Sequence, residues 1–199
     1  DPPGFEELNE TQGARLYNRA FDIWIQQALR TMSPAIRRAM TRLVWGNDME
    51  GSPLDRLRAA GRNLVEWGDF PTAWRREPFE QHTLIDRLVD ETAEFGNMVR
   101  TCKDLRNPLR RDLQCVVDFM IRLRRTEESR PRDHDHLEAL FVRLGYELRQ
   151  TKIKGRGKYS AEVNREAVLD AKARLLSNLT EFERRAGADL ACHLQSEIQ

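Results

Sequence analysis

The sequence predicts an all-α protein, an irregular domain of about seven helices with a long C-terminal helix and no sheet. Apolar residues recur at spacings of three and four along most of the chain, which is the period of helices with one buried face. Alternating runs of β-branched residues, which would predict strands, are almost absent. Ser33-Pro34, Ser52-Pro53 and Asn107-Pro108 pair a capping residue with a proline, and proline is tolerated at the first helical position because the N–H it lacks has no partner there.

The first helix is predicted from about residue 10 to residue 31. Asn9 and Gln12 have the spacing of a capping box, in which each side chain bonds the backbone N–H of the other residue. The apolar spacing predicts a buried stripe made of Leu16, Ala20, Ile23, Trp24 and Ala28.

Two shorter helices follow, from Pro34 to about residue 45 and from Pro53 to about residue 67. The next stretch, residues 69–78, holds two prolines and closely spaced aromatic residues, so we expect a loop pinned by aromatic burial.

Four further helices complete the prediction. The fourth spans about residues 80–101, the fifth starts at Asn107-Pro108, the sixth at Asp133 and the last at Asn164. The last helix keeps an apolar face almost to the end of the chain and would be roughly 50 Å long at 1.5 Å per residue. For the fifth helix the predicted buried residues are Leu113, Val117, Met120, Ile121 and Leu123.

The balance of charges excludes a globally basic or acidic protein. Lys and Arg number 33 and Asp and Glu number 32, so any nucleic-acid surface must come from local clustering. No apolar stretch approaches the roughly 20 residues that span a bilayer, and no leader pattern opens the chain. Three widely spaced cysteines favour buried hydrophobic roles over disulfides or zinc ligation. We therefore expect an intracellular protein without a membrane contact.

The most unusual stretch is residues 149–163, for which we predict a flexible basic loop, hereafter the basic segment. Residues 149–160 contain five cations and no Asp or Glu, together with two glycines and one aromatic residue. Cationic loops with an aromatic neighbour suit DNA, because each cation releases a condensed counterion and the ring stacks on a base. A solvated surface loop without a ligand is the open alternative. The candidate DNA contacts are Arg149, Lys152, Lys154, Arg156, Lys158 and Tyr159.

A second candidate is Trp74-Arg75-Arg76, an aromatic-cation combination that could stack on a base and contact phosphate. A tryptophan between prolines is more often a packing anchor, and that alternative is favoured here.

Two other polar clusters are interpreted as structural. The arginines at positions 122, 124, 125, 130 and 132 include Glu127 and Glu128 among them and are typical of a helix terminus with local ion pairs. In the stretch His134-Asp135-His136 the two histidines are two residues apart, so they do not share a helix face. This stretch is expected to form a cap and a solvent-exposed first turn.

No catalytic apparatus is found in the sequence. The stretch Gly155-Arg156-Gly157-Lys158 is not a Walker A loop, because that motif needs Ser or Thr after its lysine and Tyr159 follows here. Nucleophile, paired-carboxylate and metal motifs are likewise missing. We expect this fragment to be no enzyme and to bind no cofactor or metal.

The chain resembles UvrD/Rep-like superfamily-1 helicases, in particular the AddA and RecB type of helicase-nuclease subunits, the exonuclease V group. The opening matches the PGF-x-x-L-[DN]-E pattern of that family with Pro3, Gly4, Phe5, Leu8, Asn9 and Glu10. The stretches at residues 63–80, 154–176 and 183–199 are also similar to the family.

The resemblance implies a fragment of a larger helicase chain, in which residues 1–199 form one helical accessory domain, called 1B in the family, after an extended lead-in at residues 1–8. It implies contact with DNA, either a single strand or fork duplex, and with the motor domains of the parent chain and a second helicase-nuclease subunit. The parent would use ATP and Mg²⁺ in double-strand break repair and recombination in the bacterial cytoplasm. The family's Walker and nuclease residues match no position here.

Two further expectations follow. An inserted domain leaves and re-enters its host at neighbouring points, so residues 9 and 199 should lie close together, with the first and last helices antiparallel. The alternative function is a helical docking or scaffolding domain that binds protein through an apolar surface and does not touch DNA.

Overall fold

The computed structural model describes residues 9–44, 53–66, 78–102, 104, 106–129, 131–153 and 163–198. These residues form eight helices and no strand, so the all-α prediction and the long C-terminal helix are confirmed. The helices are α1 (Glu10–Thr31), α2 (Pro34–Val44), α3 (Pro53–Glu66), α4 (Gln81–Arg100), α5 (Pro108–Asp112), α6 (Gln114–Ser129), α7 (His134–Gln150) and α8 (Arg165–Ile198).

Side-chain caps set most of these helix starts. At each, an oxygen of the capping side chain accepts an N–H of the first turn, which would otherwise lack a partner. At α1 the capping box is complete in both directions, with both bonds at 2.9 Å. The capping residues are Asn9, Ser33, Asn107, Asp133 and Asn164.

The eighth helix arises because the predicted fifth helix is divided at Leu113. The N–H of Leu113 is shared between the carbonyls of Leu109 and Arg110, both at 3.2 Å, which is the tightened turn of a helix end. Leu109, Leu113 and Val116 are nevertheless all buried. The apolar period therefore continues through the break, and for this reason the sequence pattern did not reveal the break.

The chain divides into two compact units. Unit 1 comprises Asp1–Arg75 and Cys192–Gln199, and unit 2 comprises Arg76–Ala191. Gln199 lies outside the described residues, as do residues 1–8, so the expected proximity of residues 9 and 199 stays a prediction, and so does the single inserted domain.

Unit 2 has the larger apolar core. Helices α4, α6 and α7 pack together, and side chains of α8 join the same core. Phe141 is central to it, with ring centroids 4.9 Å from Phe119 of α6 and 6.3 Å from Phe182 of α8. Phe79, just before α4, lies 6.0 Å from Phe182. These aromatic contacts join the middle of α7 to α6 and α8.

Unit 1 corrects part of the predicted buried face of α1. Ala28 is buried and Trp24 packs against the unit's core, as predicted, but Leu16 and Ile23 are 59% and 62% exposed. Ala20 is exposed as well. Phe21 and Ile25 are buried instead, together with Leu57 of α3. Leu16 lies roughly 140° around the helix from Phe21, and the side with the aromatic rings is buried because it removes more apolar area from water.

Gly61 allows α3 to approach Tyr17 closely. The Tyr17 hydroxyl donates to the Arg58 carbonyl at 2.7 Å, and a Cβ on Gly61 would lie 2.7 Å from that same oxygen. In an open helix, Gly→Ala stabilises by about 1 kcal/mol. We expect Gly61→Ala to lose this gain and to destabilise unit 1 by about 1 kcal/mol, because the Tyr17 hydrogen bond must break.

Urea unfolding checks this prediction against Gly13→Ala in α1. A Cβ on Gly13 meets nothing within 4 Å, so that variant should be stabilised. Equal stabilisation of both variants would mean that Tyr17 does not pack on α3.

Candidate nucleic-acid interface

The predicted loop starts two residues too early, because Arg149 and Gln150 of the basic segment belong to α7. The chain leaves α7 at a set of hydrogen bonds centred on Thr151. The Thr151 N–H and hydroxyl both donate to the Glu147 carbonyl, at 3.1 Å and 2.8 Å. The Thr151 carbonyl accepts a hydrogen bond from Lys172 Nζ of α8 at 2.9 Å. The exit point of the chain from α7 is therefore held by both α7 and α8.

Two apolar residues bracket the centre of the basic segment. Ile153 and Val163 are partly buried and pack against the unit 2 core. Asn164 then caps α8, its side-chain oxygen accepting the Ala167 N–H at 2.7 Å. The flanks of residues 154–162 are thus anchored in the core on both sides.

Only two of the nine candidate contact residues are described. Lys152 is exposed and, among the described residues, forms no ion pair. Arg149 is paired with Glu183 of α8, Nη2 to Oε2 at 2.8 Å, so its charge is largely neutralised in the free protein. The remaining candidates, which lie outside the described residues, are Lys154, Arg156, Lys158, Tyr159, Trp74, Arg75 and Arg76.

Burial shifts two titratable groups next to Thr151. It lowers the pKa of Lys172, and it raises the pKa of the Cys115 thiol, which the charge of Glu147 raises further. The cause of both shifts is the partial burial of these side chains, since Cys115, Thr151 and Lys172 are all half-buried. Cys115 is half-buried and so is Cys192, whereas Cys102 is buried. The expectation of three buried cysteines was correct only for Cys102.

In the second basic cluster, Arg132 pairs with Glu127, which is the predicted local ion pairing. Arg132 also pairs with Asp86 of α4 at 2.6 Å, a contact between distant parts of the chain that was not predicted. The hydrogen bond from Arg132 lowers the pKa of the Asp86 carboxyl. Arg122 and Arg124 of the same cluster are exposed on α6.

The histidine cluster is less exposed than the sequence suggested. Asp133 caps α7 as expected, but residues 134–136 are all half-buried. The His134 ring stacks on His82 with centroids 3.9 Å apart, and Gln81 donates to Asp135 at 3.2 Å. Packing of the start of α4 against the start of α7 covers this turn. Within the described ranges, no group of three or more His, Cys, Asp or Glu residues could hold a metal ion.

An apolar groove in unit 1 was not predicted. It has a volume of about 260 Å³ and lies between α1 and α3, with Leu194 of α8 at its border. Among the described residues of unit 1, six large apolar side chains are exposed, including Leu16, Ile23 and Val65. The groove could have been found only by combining residues from three helices. Its lining is Tyr17, Ala20, Phe21, Trp24, Leu57, Ala60, Gly61, Val65 and Leu194.

In the part of the chain that is described, no helix has the length and apolar character needed to cross a membrane. Comparison with known proteins found no matching family model, no similar curated protein and no similar solved structure.

Proposed function

We propose that this chain is a DNA-contacting helical accessory domain of an ATP-dependent helicase-nuclease that acts in double-strand break repair and recombination. It performs no catalysis itself, and ATP and Mg²⁺ are bound by the motor domains of the parent chain. The observation that carries the proposal is the basic segment, with an exposed Lys152 at its start and core anchors at Ile153 and Val163.

Fluorescence anisotropy with a labelled DNA fork tests the proposal. Binding should be micromolar or tighter at low salt and should weaken steeply at physiological salt, because phosphate contacts release counterions. An anisotropy that stays flat at low salt with protein well above micromolar would contradict it.

Glu183→Gln should strengthen DNA binding. The substitution releases Arg149 for phosphate, so we expect affinity to rise by about two- to fivefold and the log-log salt slope to steepen by up to about 0.9. The stability cost should stay below about 1 kcal/mol, since the pair is about a third exposed.

Glu181→Gln is the matched control for this prediction. It removes the same charge two residues earlier on α8, but Glu181 pairs with Arg184 rather than Arg149. An equal gain in affinity from both variants would mean that only net charge changed and that Arg149 makes no phosphate contact.

The α1–α3 groove favours a second candidate function, docking of an amphipathic helix of a partner protein. Such a helix presents apolar side chains on one face, which suits a groove with almost no polar lining. A labelled leucine-rich helical peptide should then bind with micromolar affinity, and Val65→Asp should abolish that binding. Peptide binding unaffected by Val65→Asp would exclude the groove as the docking site.

A further inference from the structure

The apolar surface of unit 1 extends from the α1–α3 groove onto the exposed side of α1. Around that helix, the groove residues Tyr17, Trp24 and Ala20 are followed by Leu16 and Ile23. These five positions fall within about 120° of the helix circumference. Leu16 and Ile23 are both more than half exposed. The groove and this side of α1 therefore form one continuous apolar surface.

The size and lining of the groove favour a helix as its ligand. The described residues that line it are all uncharged, and its volume of about 260 Å³ is below the roughly 300–1,000 Å³ of pockets that enclose a small organic ligand. Nucleic acid is held mainly through its phosphates by cationic and polar groups, which this lining lacks. Apolar side chains on one face of a partner helix match such a groove.

Cations border the apolar surface on both helices. On α1, Arg19 and Arg30 are exposed and lie within about 40° of Ile23 around the helix. On α3, Arg62 is exposed one turn before the groove residue Val65. A helix that docks on this surface therefore meets guanidinium groups at its flanks.

The charge of unit 1 helices differs from that of the whole chain. Helices α1, α2 and α3 together hold nine arginines, no lysine and four acidic residues, whereas the chain has 33 cations and 32 acids. Burial raises the pKa of the Tyr17 phenol, and the charges of Arg58 and Arg62 oppose this rise. Two of the arginines thus act directly on a residue that lines the groove.

We propose that the α1–α3 groove binds an acidic amphipathic helix of a partner protein, in which Asp or Glu residues flank the apolar face. The inference rests on the docking function proposed above for this groove. The apolar side chains of the partner fill the groove, and its flanking carboxylates lie near Arg19, Arg30 and Arg62. Complementary charges of this kind select the partner and speed its association.

A second copy of this chain is a poorer occupant of the groove. In a symmetric dimer the same surface of each copy meets the other, so the bordering arginines of both copies come together. Like charges across an interface oppose association. An acidic helix avoids this repulsion and gains attraction from the same arginines.

Three labelled helical peptides with identical leucines test the inference with the full chain by fluorescence anisotropy. Their flanking positions carry Glu, Gln or Lys. At low salt the Glu peptide should bind about tenfold more tightly than the Gln peptide, since each exposed ion pair contributes about two- to fivefold, and the Lys peptide should bind most weakly. The advantage of Glu should shrink to about twofold near 1 M salt, where charges are screened within about 3 Å.

Arg19→Gln combined with Arg30→Gln removes two of the bordering cations. This double variant should reduce the advantage of the Glu peptide over the Gln peptide from about tenfold to about threefold or less, with unchanged affinity for the Gln peptide. Arg122→Gln combined with Arg124→Gln is the matched control, because it removes two exposed charges from α6 in unit 2. An equal loss in both double variants would mean that only net charge matters and would overturn the inference.

The remaining outcomes separate the inference from the docking function beneath it. If none of the peptides binds, the docking function and the inference both fail. If all three bind equally at low salt, docking stands and the acidic partner is wrong. Self-association in analytical ultracentrifugation that Val65→Asp abolishes would make a second copy the occupant. Loss of DNA-fork binding in the Arg19 and Arg30 double variant, with unchanged affinity for the Glu peptide, would assign these cations to nucleic acid and overturn the inference.

Discussion

Replacing Lys152, Lys154 and Lys158 with glutamine is expected to lower the log-log salt slope of DNA binding by about two to three units. Each lysine that contacts a phosphate releases condensed counterions, which contributes about 0.7 for single strands and about 0.9 for duplex. Affinity at physiological salt should fall by about one to two orders of magnitude for the same reason. Anisotropy titrations with the DNA fork at four or more salt concentrations measure both quantities.

The triple variant of Arg15, Arg19 and Arg30 to glutamine is the matched control. All three arginines are exposed on α1 in unit 1, so the same number of charges is removed from a different unit of the chain. Only a small change in affinity is expected, because the cations of the basic segment are kept. Equal slopes for the two triple variants would remove the basic segment from the DNA contact.

Phe141→Ala should destabilise unit 2 by about 3–5 kcal/mol. The ring is 1% exposed and lies between Phe119 and Phe182, so its removal leaves a cavity at the meeting point of α6, α7 and α8. That cost is a large part of the 5–15 kcal/mol typical of a whole domain. Urea or thermal unfolding measures it.

Tyr146→Ala on the same helix is the comparison for Phe141→Ala. Tyr146 is 41% exposed, and surface substitutions usually change stability by less than about 0.5 kcal/mol. A similar loss of unfolding free energy in both variants would contradict a shared core of α6, α7 and α8.

Helix starts were predictable because their signals are local. The side-chain oxygens of Asn9, Ser33 and Asp133 accept hydrogen bonds from N–H groups three residues later, so each cap is contained within a few residues. The break at Leu113 was not predictable, since the apolar period runs through it.

Buried faces were less predictable than helix starts. Leu16 and Ile23 fit a helical spacing as well as Phe21 and Ile25 do, and spacing alone does not decide which of these side chains meet α3. Ile121, expected in the core, is 41% exposed on α6 for the same reason. The choice depends on neighbouring helices, which the period of one helix does not encode.

The environment of the basic segment depends on contacts distant in sequence. Its charge pattern is local and was visible in the sequence, but Glu183 lies 34 residues after the arginine it neutralises. Lys172 likewise meets Thr151 only because α8 returns along α7. Pairs at such separations have no signature in a single sequence, so the neutralisation of Arg149 was missed.

Lysine footprinting tests the DNA contact most directly. The chain has only five lysines, and three of them, Lys152, Lys154 and Lys158, lie in the basic segment, while Lys103 and Lys172 serve as internal references. Acylation with and without a saturating DNA fork, quantified by mass spectrometry, should be slowed at the three segment lysines and unchanged at Lys103 and Lys172. Saturated DNA binding that leaves the three segment lysines as reactive as before would contradict the account.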